Sequence, residues 1–155
     1  MTADTWNHRG ARTLVVLHER ELRAFLKTWY KAAAVQLPLP ATDDPNYQTL
    51  TSLLRHVLRA ARGYLIWTCD TLELPAPDIA AVPAEDSLAA QADAYLDTLL
   101  AAWDGPLRGP SERDFDREAA ARWGPTYCVD GMLEHAVMHP IRHRFQLEEL
   151  LATHG

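Results

Sequence analysis

The chain predicts an all-α four-helix bundle, on three observations. Ala and Leu are abundant, at 24 and 22, whereas Val and Ile together number ten, a balance that favours helix over strand. Apolar residues recur at three-to-five spacing over several long segments. No strand-like alternation of useful length occurs, and no Asn-Gly or Asp-Gly hairpin turn lies between β-branched runs.

The first helix is expected from about Ala11 to Ala34, with Leu14, Leu17, Leu22, Phe25 and Trp29 as its apolar stripe. Pro38 and Pro40 stop it, since proline lacks the amide that the helix ladder needs. The second is expected from about Pro45 to Leu72. Asp44 is its expected N-cap and Pro45 suits the first turn. Its stripe is Leu50, Leu53, Leu54, Val57, Ala61, Tyr64 and Leu65. The third is expected from about Glu85 to Trp103, ended by Asp104-Gly105-Pro106. Ser111 and Asp114 resemble a capping box, so a short extra helix is expected over Glu112 to Trp123. The last helix runs from about Thr126 to Ala152.

Long helices with mostly short connections read as a bundle. The Pro-rich link between the second and third helices is about a dozen residues, and at ~3.3 Å per residue it reaches ~40 Å. That is enough to cross the bundle and leave these two helices parallel.

Composition bounds the function. The chain has 155 residues, 48% of them hydrophobic and 23% charged, which is one globular domain spanning 1–155. No apolar run approaches a membrane span, and the polar opening segment MTADTWNHRG, with no apolar core after it, is expected not to act as an export signal. A net charge of −6 counts against sequence-independent nucleic-acid binding. Cys69 and Cys128 form no C-x-x-C pair, so a reducing cytoplasm is expected and both read as small buried residues.

The chemistry lies in the histidines. Seven occur, and three fall in the last helix as His135-x-x-x-His139-x-x-x-His143. Residues four apart on a helix stand one above the other, so two imidazoles can reach one ion. The inward stripe of this helix reads Met132, Ala136, His139, His143, Gln146, Leu147 and Leu150. That puts His139 and His143 on the core side, where both rings must be satisfied by a metal or by hydrogen bonds. His56, at the edge of the second helix's stripe, is the expected third ligand; His18 is the reserve, and His8 and His154 read as exposed. Pro140 removes one hydrogen bond beside the pair and is expected to kink the helix.

At these residues the sequence resembles the DinB family of bacterial four-helix-bundle metalloproteins. The family's last helix reads approximately H-E-x-H-H-R-G-Q. Here it is His139-Pro140-Ile141-Arg142-His143-Arg144-Phe145-Gln146, and Leu53-Leu54-Arg55-His56 matches the second-helix ligand with its preceding apolar pair. The resemblance spans nearly the whole chain. It implies a divalent metal on His56, His139 and His143, with His135 a frequent non-ligand, and helices one and four opposed to two and three. Pro140 stands where Glu is common, which removes one acid–base candidate. Phe145 stands where Gly is common and is expected to narrow the approach.

Three neutral imidazoles leave one position open on tetrahedral zinc, or up to three on octahedral nickel, iron or manganese. The resemblance implies activation of a small thiol, as in mycothiol-, bacillithiol- or glutathione-dependent transferases; activation of water, as in a hydrolase, uses the same open position. The substrate is then a small molecule. Arg55, Arg59 and Arg62 lie at helical spacing beside His56, where they suit ligand carboxylates or a solvated basic face. Gln146 is expected to hydrogen-bond a ligand imidazole, and Arg144 matches the family motif. Trp67, Trp103 and Trp123 suit a pocket wall or the core; Glu134, Asp114 and Asp116 are available bases that nothing aims at the metal. The competing readings are a non-catalytic, stress-associated metal-binding module that docks on another protein, and a plain helical homodimer with hydrogen-bonded core histidines.

Overall fold

The computed structural model describes residues 5–154; residues 1–4, part of the opening segment read against an export signal, lie outside them. Four helices, α1 (Arg9–Ala34), α2 (Leu50–Thr71), α3 (Glu85–Asp104) and α4 (Val129–His154), account for most of the chain. Between α3 and α4 lie a short 3-10 helix, Glu112–Asp116, and two strands, β1 (Glu118–Ala120) and β2 (Thr126–Cys128). No helix among the described residues is long and apolar enough to cross a membrane.

Side-chain contacts fix the helix directions. On α1 and α4, His8 meets Asp130 and Glu21 meets Arg144, so these helices run the same way. On α1 and α3, His18 packs on Trp103, Arg23 reaches Asp97 and Tyr30 reaches Asp93, an antiparallel order. On α2 and α4, His56 meets His143 while Tyr64 meets His135, again antiparallel. Hence α2 and α3 are parallel, and the Pro-rich link returns across the bundle. Arg62 holds that link by donating to the carbonyls of Ile79 and Ala80 at 3.1–3.3 Å.

The core is the set of stripes facing one another. Leu22 and Phe25 from α1, Leu54, Leu58 and Leu65 from α2, Leu88, Leu96, Leu99 and Trp103 from α3, and Met132 from α4 are all fully enclosed. Three indoles join elements as well as filling space. Trp29 Nε1 donates to the Leu50 carbonyl (2.6 Å), Trp103 Nε1 to that of Ala61 (3.2 Å), and Trp67 Nε1 to that of Ala120 (3.0 Å).

Several sequence expectations are corrected. Helix α2 begins at Leu50, and its N-cap is Thr49 rather than Asp44. Thr49 and Ser52 exchange side-chain bonds with each other's backbone amides at 3.0 Å, whereas Asp44 folds the preceding turn by accepting from the Asn46 amide at 2.9 Å. A reciprocal capping box satisfies two orphan amides at once, so it sets the start.

The extra helix ends at Asp116, not Trp123, and the chain is not purely α. Residues 118–120 pair antiparallel with 126–128, and Gly124 turns the intervening loop at φ +114, a value that favours glycine. Strands of three residues are too short for alternation to register in sequence. Helix α4 passes through Pro140 without a break. Helices α1 and α2 end before the prolines, each through a left-handed residue, Gln36 (φ 51) and Glu73 (φ 56). The next amides, of Leu37 and Leu74, then reach back to the carbonyls of Ala32 and Cys69.

Candidate metal centre

The Thr49 box sets the phase of α2, burying Leu53, Leu54 and Val57 and leaving His56 half-buried at the edge facing α4. On α4, His139 and His143 lie one turn apart, and both are buried. These three histidines form one group whose donor nitrogens all lie within 4.8 Å of one another. His56 Nε2 stands 3.1 Å from His139 Nε2. Ring centroids are 4.7 Å apart for His139–His143, 4.9 Å for His56–His139 and 5.4 Å for His56–His143.

The protonation chemistry suits a cation. Desolvation, then the neighbouring imidazoles, pushes His139 down to about 2. Desolvation also pushes His143 down to about 4 and lowers His56. All three are therefore neutral at pH 7, the state in which imidazole ligates a metal. His143 Nδ1 donates to Gln146 Oε1 at 3.0 Å, which turns the lone pair of its Nε2 outward as a ligand. Two Nε2 atoms facing each other can share only one proton between them. One divalent ion satisfies all three rings, so the residues present fit it.

The other histidines are separated from this group. His135, a turn earlier, stacks on Trp123 (5.3 Å, 27°) and meets Tyr64 edge-on. His18 is sealed in the core against Trp103, so it cannot serve as the reserve ligand. His8, expected to be exposed, is buried on Phe115 and bonds Asp130 at 3.0 Å, fastening α1 to α4. His154 is exposed. None of the carboxylate candidates joins the group: Asp114 caps the 3-10 helix and pairs with Arg117, and Asp116 and Glu134 are exposed. Cys69 is buried and its thiol is pushed up to about 11 by desolvation, so it is no nucleophile.

Two cavities flank the group. The larger, about 780 Å³, has His56 in its wall together with Arg55, Arg59, Trp67, Trp123 and Met132. The smaller, about 460 Å³, has Leu39, Leu53, Tyr47, Arg142, His143 and Gln146. Phe145 lines neither and is 57% exposed, so it does not narrow the approach. Gln146 is exposed rather than inward, and it reaches His143 from the rim. Arg144 serves the α1–α4 interface, pairing with the buried Glu21 at 3.1 Å.

Sequence reasoning missed Tyr47. Its hydroxyl lies 3.4 Å from His56 Nε2 and its ring 5.5 Å from that of His143. Burial, then Asp44, raises its pKa, so it stays a neutral hydroxyl beside His56 Nε2. The only sequence signal is its place just before α2; the Asp44–Asn46 turn is what aims it.

Fold and site together define a four-helix protein with a three-histidine centre open on two sides. No protein-family model, curated protein or solved structure matches the chain.

Proposed function

We propose that the chain is a DinB-like metal-dependent enzyme whose divalent ion is held by His56, His139 and His143. The observation that carries this reading is that three neutral imidazoles, with no cysteine or carboxylate in the group, converge within 4.8 Å between two cavities, His56 lining one and His143 the other. A closed structural site uses four protein donors, whereas three leave room for an exogenous ligand. The opposed helix pairs, the crossover link and the match around His139–Gln146 support the family assignment. When bound, the ion supplies a Lewis acid that activates water or a small thiol. Imidazole donors suit zinc or nickel first, then iron or manganese.

The chain's own residues do the rest. Gln146 orients the His143 ring. Tyr47 offers a hydroxyl beside His56 that can donate to a bound anion or hold its proton. Leu53 and Leu147 exclude water on the side of the smaller cavity. The exposed Phe145 removes the one feature that favoured a covered, non-catalytic site.

Elemental analysis of protein purified without chelator or affinity metal is the test. Near one equivalent of a divalent metal is expected in the wild type and in His135→Ala. His56→Ala, His139→Ala and His143→Ala should each lose it. Equal metal in all variants, or none in the folded wild type after reconstitution, refutes the assignment.

A further inference from the structure

We infer that the larger cavity binds an organic anion with a flat apolar body, an aromatic carboxylate in the simplest case. Its role as the substrate rests on the metal-centre reading above; its binding does not.

Charge points to the anion. The chain carries a net −6, yet four arginines, Arg55, Arg59, Arg62 and Arg122, line this cavity against one acid, Asp70. Arg62 is engaged by the carbonyls of the crossover link. No carboxylate among the described residues forms an ion pair with Arg55, Arg59 or Arg122. Arg55 is the sharpest case, because its Nε is enclosed and has no hydrogen-bond partner. An unpartnered guanidinium is costly to hold half-buried, and a carboxylate in the cavity meets its outer N–H groups in the planar geometry guanidinium prefers.

Shape and surface point to the flat apolar body. Trp67 and Trp123 stand in the same wall as the arginines. Trp123 is 51% exposed, with His135 stacked on one of its faces. An exposed tryptophan at a cavity rim offers a platform for a ring. The β1–β2 loop puts Arg122 and Trp123 there together, and Trp67 anchors β1 from below through the Ala120 carbonyl. A volume of about 780 Å³ is in the range of small-molecule sites. His56 in the same wall places the bound molecule beside the metal centre.

The test is an NMR titration of the metal-free protein with benzoate and, separately, with the uncharged isostere benzamide. The five indole N–H signals serve as local reporters. Saturable shifts of the Trp67 and Trp123 signals are expected with benzoate, and at least tenfold weaker binding with benzamide. Arg59 and Arg122 are both exposed, so Arg59→Gln/Arg122→Gln should fold normally and bind benzoate at least tenfold more weakly. His139→Ala should lose metal and keep benzoate binding, so failure of the anion site and failure of the metal reading show separately. Equal affinity for benzoate and benzamide, or undiminished affinity in the double arginine variant, overturns the inference. So do shifts confined to Trp6, Trp29 and Trp103.

Discussion

Replacing His18 with leucine should stabilise the protein, and the gain should grow as pH falls. Both ring nitrogens of His18 are buried without a hydrogen-bond partner, and desolvation lowers its pKa to about 3. Removing buried unsatisfied polar atoms in favour of an apolar group of similar size is worth ~1–3 kcal/mol at pH 7. The pH term follows from linkage. A folded-state pKa below the unfolded value of about 6.5 means the unfolded chain binds more protons. The contribution of His18 to stability is therefore intact above pH 6.5 and is lost progressively toward pH 3. Between pH 7 and pH 5 the unfolded imidazole gains about 2 kcal/mol from protonation that the folded one does not. Leucine cannot titrate, so the stability gap between His18→Leu and wild type should widen by about 2 kcal/mol over that range. Urea unfolding at pH 7, 6 and 5, with chelator present, measures it. The lowered pKa values of the metal-centre histidines act alike in both proteins and cancel for well-separated sites. A gap that stays constant from pH 7 to pH 5, at unchanged m, would show that His18 is not sealed from water and would refute the reasoning.

Two further substitutions test the framework of the site. Gln146→Leu leaves the His143 ring unoriented and should weaken zinc binding ~10–100-fold without unfolding the protein, as measured by competition with a chromophoric chelator. Thr49→Ala removes one half of the α2 capping box and should cost ~1 kcal/mol, with a fall of roughly 2–4 °C in Tm at this chain length; Asp44→Ala should cost less, since Asp44 does not cap the helix.

What could be read from sequence depended on how local its cause was. His139 and His143 were legible because helix geometry alone puts residues four apart on one face. His56 was legible because its neighbours Leu53, Leu54 and Val57 fix which side of α2 is buried. The crossover was legible as a length: a dozen extended residues can span a helix. Tyr47 was not legible, since its position depends on how an irregular loop folds around Asp44 and Asn46. The β1–β2 hairpin was hidden because three-residue strands have no periodicity to detect. Arg144 illustrates the reverse error. Its match to a motif suggested a ligand-facing role, whereas the buried carboxylate of Glu21, distant in sequence but adjacent in space, claims it. His18 lay beside Leu17 on the stripe, and that place in the core, not ligation, is what it kept.

The two cavities and the histidine group are joined by a charge argument. All three candidate ligands are neutral at pH 7, so a bound divalent ion brings its full charge into the site. The cations nearest the group oppose it: Arg59 and Arg142 each depress the pKa of one or more of these histidines, and Asp44 alone among the acids raises one. Asp44 is the one carboxylate among the described residues that acts on the group, and it acts on His56 alone, so the charge of a bound ion would be left largely unbalanced. An anion entering beside His56 supplies that balance. Its binding and that of the metal are then favourably coupled, and the coupling is reciprocal: whatever factor the anion adds to metal affinity, the metal adds to the affinity for the anion. A site of neutral ligands ringed by arginines is, on these terms, assembled fully only when metal and anionic substrate are present together.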